Sequence, residues 1–347
     1  MKGRIVVLDE YRGREAAALV VDGRLEDLLI APEADLLPGA ILRGTVDRPV
    51  KGQGGVFVRL PGGNGFLRET GGLRPGQPVL VQVTGGAEPG KATPLTTRLL
   101  FKSRHAIVTP EAPGQNISRR IRDEDRRAGL AALAAVAMEG SPFGLILRSA
   151  AETADDEEIA DDIALMRGLA EQVLADAAGA PELLVDAPGP HEEAWRDWAD
   201  PAPDAVEDAP GAFAMHGIPE MIDAVLVPEV PLPGGGHMVI ELTRALVAVD
   251  VNTGADTSMA AGLKANVAAA RELPRQLRLR GLGGQVTVDF APMPKKDRAV
   301  VEQQLRSAFK SEAAESSLAG WTPLGNYELQ RKRDRQRLTE ILRETAT

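Results

Sequence analysis

The sequence predicts a multidomain α/β protein in which a small β-barrel is set among mixed strands and helices. Three observations carry this. Runs such as AILRGTV, GGVFVRL, NGFLRE and PVLVQVT recur between residues 36 and 100 at roughly ten-residue spacing, punctuated by Gly and Pro, which is the rhythm of a small barrel. Residues 245 to 290 read strand, helix, strand. A length of 347 residues supplies about two to three domains, enough chain to bury several cores.

In chain order, residues 1–35 alternate as strands do, with Asp22-Gly23 as a turn. After the barrel, residues 123–139 have helical composition, and GLILRS reads as a strand leading into an acidic helical stretch at 152–178. Residues 186–212, rich in Pro, Ala and acids, read as a flexible connection, although Trp195 and Trp198 imply some packing. From 213 the order is a short helix (IPEMIDAVL), a PLPGGG turn, then strand, helix, strand and further helix to the end. Pro274 falls inside the helix expected at 260–280 and should kink or interrupt it. No internal repeat is visible.

The chain has no cysteine, which excludes disulfides, thiolate zinc sites and cysteine nucleophiles. No stretch approaches the ~18 apolar residues of a membrane span, and MKGRIVVLDE meets Asp9 and Glu10 before any signal-type apolar core. A cytoplasmic, unprocessed protein is expected. The net charge of −10 is unevenly spread: residues 151–211 hold 18 Asp and Glu against Arg167 and Arg196, so the remainder is net basic and compatible with a polyanion.

Two strands carry the strongest chemical signal. In ALVAVDVNTG the alternation places Asp250 and Asn252 on one face opposite Val247, Val249 and Val251; in GGQVTVDF, Asp289 shares a face with Gln285 and Thr287. A right-handed crossover would bring both acids to the carboxyl ends of neighbouring strands, where α/β sites form. Two carboxylates without thiol partners suit Mg²⁺ or Mn²⁺, and Asn252 would position water or a phosphate oxygen. Strand-end Asp and Asn are also common turn and helix caps, and that reading stays open. On the intervening helix Lys264, Arg271, Arg275 and Arg278 form a cationic stripe, fitted either to a phosphate chain or to solvent. Phe57 and Phe66 are either exposed rings for base stacking on the barrel or core phenylalanines. The four histidines, His105, His191, His216 and His237, show no metal-ligand spacing and are expected to be structural or exposed. No P-loop or GxGxxG follows a strand.

These residues resemble the catalytic region of the RNase E/G family of bacterial endoribonucleases. The likeness rests on LVAVDVNTG, NVAAARELPRQLRLRGLGGQVTVDFAPM and LGNYELQRKR in order and spacing, with SRRI at 118–121. It implies an RNase H-like part (1–35 and a shortened 183–226), an inserted OB-fold of the ribosomal S-one motif type (36–100), a 5′-sensor region (101–182) and a DNase I-like catalytic domain (227–347). By resemblance Asp250 and Asp289 are the metal ligands and Asn252 the catalytic asparagine. Phe57, Phe66 and Lys91 grip RNA, and Arg148 with Ser149 (in place of the family's Thr) meets a 5′-monophosphate. The basic helix and Arg331-Lys332-Arg333 are expected to contact the RNA backbone.

The family's CPxCxG zinc link is absent, so no zinc and no zinc-linked tetramer are expected. The expectation is a short form, homodimeric or monomeric, without the C-terminal scaffold. The implied function is a Mg²⁺-dependent endoribonuclease acting on single-stranded RNA in processing or decay, leaving a 5′-phosphate and a 3′-hydroxyl. Its rivals are a non-cleaving RNA-binding regulator that keeps the fold and, last, a protein-interaction module using the acidic 151–211 face.

Overall fold

A computed structural model describes residues 3–34, 36–50, 54–68, 71–86, 90–256, 258 and 260–343. The chain divides into two units, one of Met1–Leu8, Gly13–Ala17 and Leu29–Asp208, the other of Asp9–Arg12, Ala18–Leu28 and Ala209–Thr347. Strands β1 (Arg4–Tyr11), β2 (Arg14–Val21) and β3 (Arg24–Ile30) are neighbours in one sheet. The turn between β2 and β3 is Asp22-Gly23, with φ of 50° and 78°, the doubly positive pattern of a type I′ hairpin.

The first unit holds the barrel. Strands β4 (Ile41–Val50), β5 (Gly55–Leu60), β6 (Gly63–Leu67), β7 (Pro78–Val83) and β8 (Thr93–Thr96) run in the order β4-β5-β6-β8-β7, and β7 pairs back onto β4, closing five strands into a barrel consistent with an OB-fold. Alternate residues fill it: Leu42, Val46, Val56, Val58, Leu67, Val81 and Leu95 are buried together.

Beyond the barrel, β9 (Phe101–Lys102), β10 (Ala106–Thr109), β11 (Gln115–Ile117) and β12 (Gly144–Leu147) form a sheet in the order β11-β12-β10-β9. Helices α1 (Glu124–Ala137) and α2 (Asp156–Ala175) pack on it through Leu130, Ala134, Ile159 and Ile163. The Asp123 carboxylate caps α1 by accepting from the Arg126 amide at 2.7 Å. Strand β13 (Glu182–Val185) pairs with β4.

Residues 186–212 correct the expectation of a flexible connection. They contain α3 (Pro190–Asp197) and β14 (Ala205–Glu207), which pairs parallel to β1 with Ile5 opposite Ala205. Pro190 occupies the first turn of its helix, where no amide hydrogen is needed, and Trp198 is buried.

The second unit continues with α4 (Ala212–Met215), α5 (Ile218–Leu226), β15 (Glu229–Pro231), β16 (His237–Leu242), β17 (Val247–Asn252), α6 (Ala261–Leu279), β18 (Gly284–Asp289), α7 (Arg298–Phe309), β19 (Ser316–Trp321), β20 (Tyr327–Arg331) and α8 (Leu338–Arg343). Its sheet runs β15-β16-β17-β18-β20-β19, with β17 and β18 parallel and joined through α6. One face is apolar: Val249, Val251, Val286, Val288, Tyr327 and Leu329 pack with Ala269, Leu273, Leu277, Val301 and Leu305 of α6 and α7. Two expectations are corrected here. Helix α6 is continuous through Pro274, a buried residue, and the chain beyond α7 forms the hairpin β19–β20 rather than unbroken helix.

Candidate active site

The register of the parallel pair sets Asp250 of β17 directly opposite Asp289 of β18. Adjacent strands lie about 4.8 Å apart, so two carboxylates facing the same way from partnered positions can share one ion with metal–oxygen bonds of about 2.1 Å. Alternation sends their neighbours Val249, Val251 and Val288 into the core and leaves both acids exposed. The Asn252 amide donates from Nδ2 to Asp250 Oδ2 at 2.8 Å, tying the asparagine to the same face. Neither carboxylate forms an ion pair among the described residues. The donor set is thus two hard anionic oxygens with an amide alongside, which fits Mg²⁺ or Mn²⁺. No group of three or more His, Cys, Asp and Glu positioned for a metal exists among the described residues.

The end of β18 is held from α6. The buried Asn266 donates from Nδ2 to the Ala291 carbonyl and accepts the Ala291 amide on Oδ1, each at 2.9 Å, clamping the backbone two residues past Asp289. This close approach needs Gly262, where a Cβ would stand 2.1 Å from the Pro292 carbonyl oxygen. Sequence reading missed Asn266; its one signal is an amide among the small residues Ala265, Ala269 and Ala270 that α6 buries near its start. His237, set aside for lack of spacing, lies opposite Asn252 in the β16–β17 ladder. The alternation of HMVIE reveals its face, but no local pattern reveals its neighbour.

The cationic stripe divides. Lys264 is exposed, and Arg271 is exposed with Nε on Gln304 Oε1 at 2.8 Å. Arg275 and Arg278 are not solvent-facing as expected. Arg275 binds Glu272 and the Leu25 carbonyl, while Arg278 donates to Glu26 Oε1 at 2.6 Å and its carbonyl at 2.9 Å and also binds Glu312. Burial works against the charge of Arg278, but Asp27, Glu312 and Glu26 outweigh it and raise its pKa. Arg331 is corrected likewise: it is 2% exposed, shares the inward face of β20 with Tyr327 and Leu329, and donates to the Leu282 carbonyl at 3.0 Å. Lys332 and Arg333, which follow it, are exposed.

In the first unit Phe57 and Phe66 lie outside the barrel core as a cross-strand pair, half-buried, with ring centroids 5.9 Å apart at 63°. The Arg48 guanidinium stands 5.9 Å from the Phe57 ring. Lys91 is exposed just before β8, which sets Pro94 beside Phe66. Arg148 does not present an open guanidinium. It donates to the Ser103 carbonyl at 2.7 Å, the Arg196 carbonyl at 3.1 Å and the Asp197 carboxylate at 2.5 Å. Burial acts to raise the pKa of Asp197, yet Arg196 and Arg148 hold it below the ordinary carboxylate range, so this partner is an anion. Ser149, half-buried, starts the short helical turn after β12.

A closed five-stranded barrel with paired outward rings, in a chain whose mixed sheet pairs two exposed carboxylates, defines an α/β protein with a two-carboxylate site. The chain belongs to the Ribonuclease E/G family, whose profile matches residues 101–209 and 203–334. It is 29% identical over 401 aligned positions to Ribonuclease E of Nostoc sp. (strain PCC 7120), covering 99% of this chain and 58% of that protein. It is 30% identical over 310 positions to Ribonuclease G of Salmonella typhimurium, covering 78% of this chain and 62% of that protein, and 29% identical over 310 positions to Ribonuclease G of Escherichia coli K12. The chain therefore spans about three fifths of the length of these relatives.

Proposed function

We propose that the chain is an endoribonuclease that cuts single-stranded RNA by water attack on a phosphodiester at the Asp250–Asp289 pair. The observation that carries this reading is the facing register of the two exposed carboxylates, with Asn252 bonded to one of them. Asp250 and Asp289 hold a divalent cation, Mg²⁺ or Mn²⁺; when bound, it lowers the pKa of water and offsets charge developing on the phosphate. Asn252, its nitrogen engaged by Asp250, orients the attacked phosphate or the water. Cleavage leaves a 5′-phosphate and a 3′-hydroxyl. The second unit's sheet from 227 onward takes the DNase I-like role. Residues 1–35 and 183–226 take the RNase H-like role, 36–100 the OB-fold and 101–182 the sensor-like region.

RNA is gripped by stacking on Phe57 and Phe66, with Lys91 beside them and Lys264, Arg271, Lys332 and Arg333 as phosphate contacts. Arg275, Arg278 and Arg331 are left out of that set because protein carboxylates or carbonyls occupy them. The setting is RNA processing or decay in the cytoplasm, by a monomer or homodimer that needs no zinc. Among the described residues no helix is long and apolar enough to cross a membrane.

The test incubates purified protein with a 5′-labelled, A/U-rich single strand, with Mg²⁺ or with EDTA. Internal cuts that appear only with the metal and bear 3′-hydroxyl ends are expected. RNA binding with no cleavage under any divalent ion would transfer the chain to the non-cleaving regulators.

A further inference from the structure

The clamp that occupies Arg148 builds something else beside it. Trp195, on α3, is 56% exposed, and the Arg104 guanidinium, in the turn between β9 and β10, lies 4.0 Å from its ring centroid. These two residues adjoin the carbonyls that Arg148 bridges: Ser103 precedes Arg104 and Arg196 follows Trp195. Arg148 thus staples α3 to that turn and brings the Arg104 guanidinium over the Trp195 indole. Docking of the helix already has its own anchor in Trp198, which is 6% exposed. In a chain with only three tryptophans, the outward ring of Trp195 adds nothing to that core.

We propose that the Arg104–Trp195 stack is a binding shelf for a nucleobase of single-stranded RNA, a second site separate from the barrel face. The ligand class rests on the proposed function, but the site rests on this geometry. An indole backed by a guanidinium presents a flat, polarisable surface on which any base stacks without regard to sequence. Its chemistry matches another aromatic–arginine pair of this unit, the half-buried Phe57 with Arg48. Arg119, Arg120 and Arg122 are exposed in the same unit, and Arg120 stands 3.8 Å from Asp200, just past α3, which offers a cation for a phosphate chain on the C-terminal side of that helix. Glu192 and Glu193 share α3 with Trp195 and temper that attraction. Stacking therefore carries the affinity, and the contribution of Trp195 is nearly independent of salt.

The experiment measures affinity of the full chain, in EDTA to prevent cleavage, for a fluorescently labelled 5′-hydroxyl oligoadenylate of about twelve nucleotides. Trp195→Ala weakens binding by about fivefold or more, Trp195→Phe recovers most of it and Arg104→Ala weakens it too. The slope of log affinity against log salt stays that of the parent in Trp195→Ala. Circular dichroism, together with the Phe variant, separates loss of the ring from loss of the fold. Equal affinity of parent and Trp195→Ala would remove RNA from this shelf and point to a protein partner, leaving the nuclease reading untouched. Failure of the parent itself to bind would sink both.

Discussion

The second unit contains two groups of carboxylates that the chain treats in opposite ways. Asp27 and Glu272 are buried and the side chain of Glu312 is only 4% exposed, and each meets a guanidinium: Asp27 accepts from Arg335 at 3.0 Å, Glu272 binds Arg275 and Arg24, and Glu312 binds Arg278. Asp250 and Asp289 are exposed, stand side by side and, among the described residues, meet only an amide. A buried carboxylate without a cation would cost several kcal/mol, so the first group's arginines are structural necessities. The second group faces water, which solvates it at little cost and leaves it open to a diffusible ion. Partner and burial, more than residue type, separate the two groups.

The largest effect expected from this contrast is on turnover. Asp289→Asn or Asp250→Asn lowers the cleavage rate by about a thousandfold or more, while RNA affinity in EDTA holds or tightens because a charge that repels phosphate has gone. Full cleavage by either variant would end the contrast. Next, Arg278→Met strands buried acids and is expected to cost about 3–5 kcal/mol in urea unfolding, whereas Arg271→Met costs under about 0.5 kcal/mol and instead weakens RNA binding in a salt-dependent way. Asn266→Ala leaves the Ala291 amide and carbonyl without their partner, for about 2 kcal/mol of stability and a fall in kcat larger than any change in KM.

Acid sharpens the comparison further. Burial acts to raise the pKa of Asp27, but Arg335 and Arg278 outweigh it and lower it. The stability this group contributes is therefore full above its unfolded value near 4 and is lost as the pH falls through the lower folded one, which an acid titration of the thermal midpoint reads. Asp27→Asn removes that component. The smallest effect concerns RNA ends: with Arg148 held by an ionised Asp197, cleavage of 5′-monophosphate and 5′-hydroxyl substrates agrees within about twofold, and a strong preference for the phosphate would show that Asp197 yields to it.

Local alternation made the site's two strands legible in the sequence. Asp250, Asn252 and Asp289 could be assigned to polar faces because Val, Val, Val on one strand and Val, Val, Phe on the other leave no second choice, and the helical stretch between them implies a parallel pair. Glycine and proline punctuation likewise delimited the barrel. Interactions across long separations were not legible. Strand β14 exists because it pairs with β1 almost the whole unit away, where Asp204 also accepts the Arg4 amide at 2.7 Å, and no feature of a Pro- and acid-rich stretch announces that partner. The stripe on α6 had the correct spacing, but spacing cannot tell which arginines find buried acids. For Arg331 the signal was present: the same alternation that places Tyr327 and Leu329 inward places it inward too.

The direct pairing of Asp250 with Asp289 has a consequence for how this chain can change over time. Side chains alternate strictly along both strands, so deleting one residue between Gly284 and Asp289, or slipping the ladder by a single step, swings one acid into the hydrocarbon side and sets an aliphatic group where it stood. Length variation is tolerable in the loops flanking this ladder but not within it, and the few peptide units from Val247 to Asp250 and Val286 to Asp289 act as a parity lock on the facing of the two acids.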